Sequence, residues 1–130
     1  MKALPFTISD EDLIAFVDQW AQLLEKEDYT AAFNFTDHES ESGWTSETLR
    51  EVIKGYGDAN ENQRVTVQGK PTDISQRKNV TRWDEERLRG IGDIWYDLNI
   101  DGFASDLTAT FFIQKRTDGL VLVLIDIHVM

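Results

Sequence analysis

The chain has no cysteine among its 130 residues. A disulfide framework and a thiolate zinc site are therefore excluded, as is a cysteine nucleophile. This fits a reducing compartment, and a cytoplasmic location is expected. Histidine is scarce too, with His38 and His128 alone. No apolar run is long enough to span a bilayer; the longest, Leu120 to Ile125, is strand-sized. The start, Met1 to Asp10, has no apolar core of the signal-peptide kind, so no secretory signal is expected. Without one, the sequon Asn79-Val80-Thr81 reads as chance. Basic residues are in deficit, 13 against 24 acidic ones, for a formal charge of −11. Such a chain repels phosphate backbones and anionic membranes, so neither nucleic acid nor membrane is expected as a partner. The charge suits solubility and, more sharply, attraction to a basic partner. There is no Gly-x-Ser-x-Gly elbow, phosphate loop or dinucleotide fingerprint. No catalytic set, metal site or cofactor is expected.

Helical signals fill the first half. Ser9 can cap a helix whose first turn holds Asp10, Glu11 and Asp12, at the positive end of the dipole. Leu13, Val17, Trp20 and Leu24 then recur at helical spacing. Asp28 can cap a short second helix, Tyr29 to Phe35. A polar loop from His38 to Gly43 follows. Thr45 caps a third helix, Ser46 to Tyr56, with Gly57 as its C-cap and Trp44 packed at its start.

The period then changes. Arg64 to Gln68 alternates like a strand. Residues 72–86 are polar and read as a loop or an irregular edge hairpin, anchored by Ile74, Val80 and Trp83. Strands are expected over Leu88 to Ile100, Leu107 to Lys115 and Leu120 to Val129. Asp101-Gly102 and Thr117-Asp118-Gly119 turn the chain between them, giving an antiparallel meander. The expected fold is α+β: three N-terminal helices packed on a curved, mainly antiparallel sheet, one domain over residues 1–130.

The last strand is apolar on both sides. Strict alternation puts Val121, Val123, Ile125, Ile127 and Val129 on one face. Leu120, Leu122 and Leu124 take the other, followed there by Asp126 and His128. Helices can cover one side of so small a sheet. Leu120, Leu122 and Leu124, with Trp95, are therefore expected on an uncovered face that meets a second copy or another protein.

The order of these elements resembles the nuclear-transport-factor-2-like superfamily, the cystatin-like cone. The resemblance lies in Trp20-Ala21-Gln22-Leu23-Leu24-Glu25-Lys26-Glu27-Asp28-Tyr29, a long helix breaking into a short one. It lies also in Ile91 to Leu98, Ser105 to Phe111 and Asp126-Ile127-His128-Val129. It covers most of the chain and points to small bacterial proteins of that kind. The superfamily holds isomerase-like enzymes, dehydratases, transport adaptors and immunity proteins, so the resemblance implies a cone but selects no activity. No catalytic residue of its isomerases maps onto this sequence.

Other constellations have simpler readings. Asp97 to Gly102 matches half of a calcium loop, but Thr108 stands where a bidentate glutamate belongs. A hairpin turn explains it better. Asp126 and His128 can form an acid/base pair or two metal ligands, but a hydrogen-bonded structural histidine is the favoured reading. Two functions stand. One is a non-enzymatic, immunity-protein-like interaction domain on a basic partner, with a homodimer as the other way to cover the sheet. The other is a small-molecule-binding or isomerase-like enzyme with a pocket lined by Trp20, Tyr56, Asp126 and His128.

Overall fold

The computed structural model describes residues 3–129. Met1 and Lys2, part of the expected signal-free start, and Met130 lie outside them. Helix α1 spans Asp10–Glu25, and Ser9 Oγ accepts the Asp12 amide at 3.1 Å. Its buried stripe is Leu13, Phe16, Val17, Trp20, Ala21 and Leu24, one helical face. The helix ends in a Schellman pair: the Glu27 amide donates to Leu24 and the Asp28 amide to Leu23, both at 3.0 Å. Glu27 takes the left-handed conformation, φ 58°, that glycine usually supplies there. Asp28 then caps α2, Tyr29–Phe35, by accepting the Ala31 amide at 3.1 Å. Helix α3 is Ser46–Lys54, opened by a Thr45/Thr48 capping box. It stops before the expected Tyr56. Gly55, not Gly57, is the C-cap, its amide donating to Glu51 at 2.8 Å.

Six strands form one strongly curled sheet. They are β1 Asp37–His38, β2 Val65–Thr66, β3 Lys78–Arg87, β4 Gly90–Ile100, β5 Phe103–Arg116 and β6 Gly119–Val129. The order is β1-β6-β5-β4-β2, with β3 also paired to β4. Among the described strands, β1–β6 is the one parallel pairing, and an isolated parallel bridge joins Lys70 to Phe103. His38, expected in a loop, thus lies opposite Leu124, its ring stacked on Phe33 at 4.0 Å. The polar stretch 72–86 resolves into a loop and a long strand. Lys78 to Arg82 pair with β4 from Tyr96 to Gly92, and the register then slips before Arg87 meets Gly90. Gly92 has a steric reason: a Cβ there would come within 2.4 Å of the Thr81 carbonyl oxygen.

Two-residue loops join β3 to β4 (Leu88-Arg89), β4 to β5 (Asp101-Gly102) and β5 to β6 (Thr117-Asp118). At Asp101-Gly102 both residues have positive φ, 50° and 85°, as a type I′ hairpin turn requires. Register shifts in β4–β5 and β5–β6 bend the sheet.

The shift in β6 decides which side chains face where. Phe111 pairs with Leu124, but Thr110 pairs with Asp126, so Ile125 is an extra residue. One extra residue inverts the alternation beyond it. Leu120, Leu122 and Leu124 are 1%, 1% and 3% exposed and join the core cluster with Trp20, Leu49 and Ile53 from the helices. This corrects the expectation that the three leucines form an interface: they lie on the helix-covered face. Past the bulge Ile127 takes their place in the core, and Asp126 and His128 move to the opposite side. The Ile125 carbonyl accepts the Trp44 indole N–H at 3.2 Å, which ties the start of α3 to the bulge.

Candidate functional site

The face of the sheet opposite the leucines carries cross-strand rows, each set by the pairing register. Asn79, Trp95, Thr110 and Asp126 lie side by side across β3, β4, β5 and β6. A second row runs Thr81, Asp93, Phe112 and Val123. A third runs Asp97, Thr108 and His128. Opposed residues on neighbouring strands project to the same side, so each row is a line of contacts.

The second row is partly apolar. Trp83 packs edge-on against Phe112 at 5.6 Å and donates its indole N–H to Asp93 Oδ2 at 2.9 Å. Burial of Val121 and Val123 to 3% and 4% exposure leaves the β6 part of this face packed although the valines lie outside the main core cluster. Trp95, in the first row, is 38% exposed.

The third row is held by Asp97, which is 2% exposed. Its Oδ2 accepts the Arg77 backbone amide and the Arg77 Nε–H, both at 3.0 Å. Its Oδ1 accepts the Thr108 hydroxyl at 2.7 Å. The Asp97 amide in turn donates to the Arg77 carbonyl at 2.9 Å, and Gln76 Nε2 donates to the Asp97 carbonyl at 2.8 Å. Residues 76–77 are thereby fastened to the centre of β4. Asp97 is an anchor, with both oxygens already engaged by donors, rather than a free proton acceptor. Beside it lies an open hollow of about 470 Å³ lined by Ile74, Ser75, Arg77, Asp97 and Asp106. Asp106 accepts the Tyr56 hydroxyl. Burial, and then the Asp106 carboxylate, raise the Tyr56 phenol above its ordinary range, so it remains a donor.

The residues expected to line one pocket are dispersed. Trp20 is fully buried and meets Phe111 edge-on at 5.1 Å, which makes it part of the packed interior. Tyr56 reaches the rim of the Asp97 hollow through Asp106. Asp126 and His128 are neighbours, with His128 Nδ1 3.1 Å from Asp126 Oδ2, and both side chains are partly exposed. Trp95 shares a row with Asp126, so these residues form one surface that neither Trp20 nor the three leucines join. Asp97 and Arg77 were not singled out from the sequence as a pair. Asp97 read as a calcium-loop residue, and nothing in the spacing points it at Arg77. Among the described residues no group of three or more His, Asp or Glu side chains could hold a metal ion. Among them, too, no helix is long and apolar enough to cross a membrane.

Comparison with curated proteins finds no match, and comparison with solved structures finds none. Residues 21–130 match a family profile described as a domain of unknown function, DUF7668, and the chain belongs to that family.

Proposed function

We propose that the chain is a non-enzymatic protein-binding domain that takes a basic partner on the sheet face bearing Trp95, Asp126 and His128. One observation carries this reading. The space between helices and sheet is filled by fully buried Trp20, Tyr96 and Phe111, whereas Trp95 and, in its row, Asn79 and Asp126 are exposed on the other side. An aromatic ring beside carboxylates suits a partner with arginine or lysine at its contact surface. Two copies of a chain of charge −11 repel, which favours a basic protein over a homodimer as the occupant. The helices and the curled sheet agree with a cone of the nuclear-transport-factor-2-like kind, and the partner chemistry with an immunity-like role in the cytoplasm.

The test compares capture from the native cell by the wild-type chain and by a Trp95→Lys/Asp126→Lys variant of unchanged melting temperature. A specific partner should be basic, should weaken as salt rises, and should be lost from the variant. Equal recovery by both proteins would remove the face from consideration. The hollow beside Asp97 favours a second reading, a small-molecule site using Arg77, Asp106 and Tyr56. A ligand that raises the melting temperature of the wild type but not of Tyr56→Phe would establish it instead.

A further inference from the structure

The edges of the sheet are unequal. β1 and β2 are two residues long, whereas β3 has ten. β3 pairs with β4 on one side, and among the described residues its other side has no partner strand. Long exposed edges are usually shortened, covered or charged. Here charge marks the two ends of the strand, with Lys78 and Arg82 around an uncharged Asn79-Val80-Thr81 centre and Asp84, Glu85 and Glu86 beyond. The centre is left open. It borders a groove of about 650 Å³ whose other wall is the first part of α1, Asp10, Glu11 and Ile14.

Two ion pairs brace this groove. Lys78 Nζ meets Asp18 at 2.9 Å and Arg82 meets Asp10 at 2.9 Å. Arg82 also donates to the Ile8 carbonyl at 3.0 Å. The strand edge and the helix wall are thus fixed relative to each other before anything binds, which lowers the ordering cost of binding. Ile14 and Val80 supply half-buried apolar surface between them. Glu11 is exposed and has no ion-pair partner among the described residues.

We propose that this groove binds an extended basic segment of a partner protein, which adds as a further strand to the free edge of β3. Backbone groups of residues 78–82 would pair with it over about 17 Å, the length of five strand residues. Alternate side chains would meet Ile14 and Val80 with apolar surface and Glu11 with a lysine or arginine. This surface lies apart from the Trp95 row, and the inference stands whether or not that face binds a protein.

The probe is a synthetic eight-residue peptide alternating lysine and valine, titrated into the full chain and followed by amide resonances. Saturable shifts should concentrate in residues 78–82 and around Glu11 and Ile14, with slowed hydrogen exchange along β3. Glu11→Lys should weaken binding by about fivefold or more, the range of an exposed ion pair with repulsion added, while circular dichroism stays unchanged. The same peptide N-methylated at alternate residues should not bind, because its edge cannot pair. Equal binding by the methylated peptide, or non-saturating shifts spread over the acidic surface, would overturn the proposal. So would a dimer joined through β3 in the absence of peptide.

Discussion

Asp97 sits on the β4 strand with both carboxylate oxygens occupied by donors from Arg77 and Thr108. Removing it leaves a hydroxyl and a backbone N–H without their acceptor in a buried place. The Arg77 side chain is 55% exposed and can return to water, so the loss falls short of a fully buried pair. Asp97→Ala should lower stability by about 2–3 kcal/mol in urea denaturation. It should also release residues 72–77, visible as faster amide exchange there. A loss below about 0.5 kcal/mol, the size of ordinary surface changes, would mean that the triad anchors nothing.

Among the elements, the β3–β4 hairpin stands out for its turn. Leu88 and Arg89 take φ of 50° and 65°, and Leu88 is 94% exposed. Both positions ask for asparagine or glycine in a two-residue hairpin loop. The next hairpin, at Asp101-Gly102, has the residues its turn wants. The strain at Leu88-Arg89 costs on the order of 1 kcal/mol per residue, and no buried contact of Leu88 offsets it. Leu88→Asn with Arg89→Gly should therefore raise stability by about 1 kcal/mol or more and raise the melting temperature. An unchanged or lower melting temperature would show that the leucine contributes something the isolated chain already uses.

For the whole molecule, acid is the informative stress. Glu27 is lowered by its hydrogen bond to Lys54, against the opposing effect of burial. Burial acts to raise Asp37, but hydrogen bonds from Arg116 and the His38 amide outweigh it and leave its carboxyl lowered. A carboxylate whose folded value lies below its unfolded value stabilises the fold above the unfolded value. That stability is lost as pH falls through the folded value. Both ties join distant parts of the chain, Glu27 after α1 to Lys54 in α3 and Asp37 in β1 to Arg116 in β5. Urea midpoints should fall between roughly pH 5 and pH 2. The Glu27→Gln/Asp37→Asn variant should be less stable at neutral pH and should show a shallower fall over that window. Parallel pH profiles for the two proteins would remove these pairs as the cause.

Local signals were enough for much of this architecture. The caps Ser9, Asp28 and Thr45, the apolar spacing of α1 and the turn at Asp101-Gly102 depend on residues within a few positions of one another, and each lies where the sequence placed it. β3 was legible only as a loop or an irregular edge hairpin, because most of its side chains are exposed. It is held by backbone pairing to β4, which leaves little hydrophobic alternation to read. The faces of β6 were misassigned for a related reason. A bulge is an event between two strands, fixed by how Thr110 and Phe111 meet Asp126 and Leu124, and the alternation of β6 alone contains no mark of it. The sequence by itself determined an acidic, cysteine-free α+β chain with capped helices and a terminal meander. Tertiary pairing decided that Leu120, Leu122 and Leu124 are core and that Asp126 and His128 join Trp95. The leucines precede the bulge and are core because the helices pack on their face; Asp126 and His128 change sides because one unpaired residue, Ile125, inverts every side chain after it.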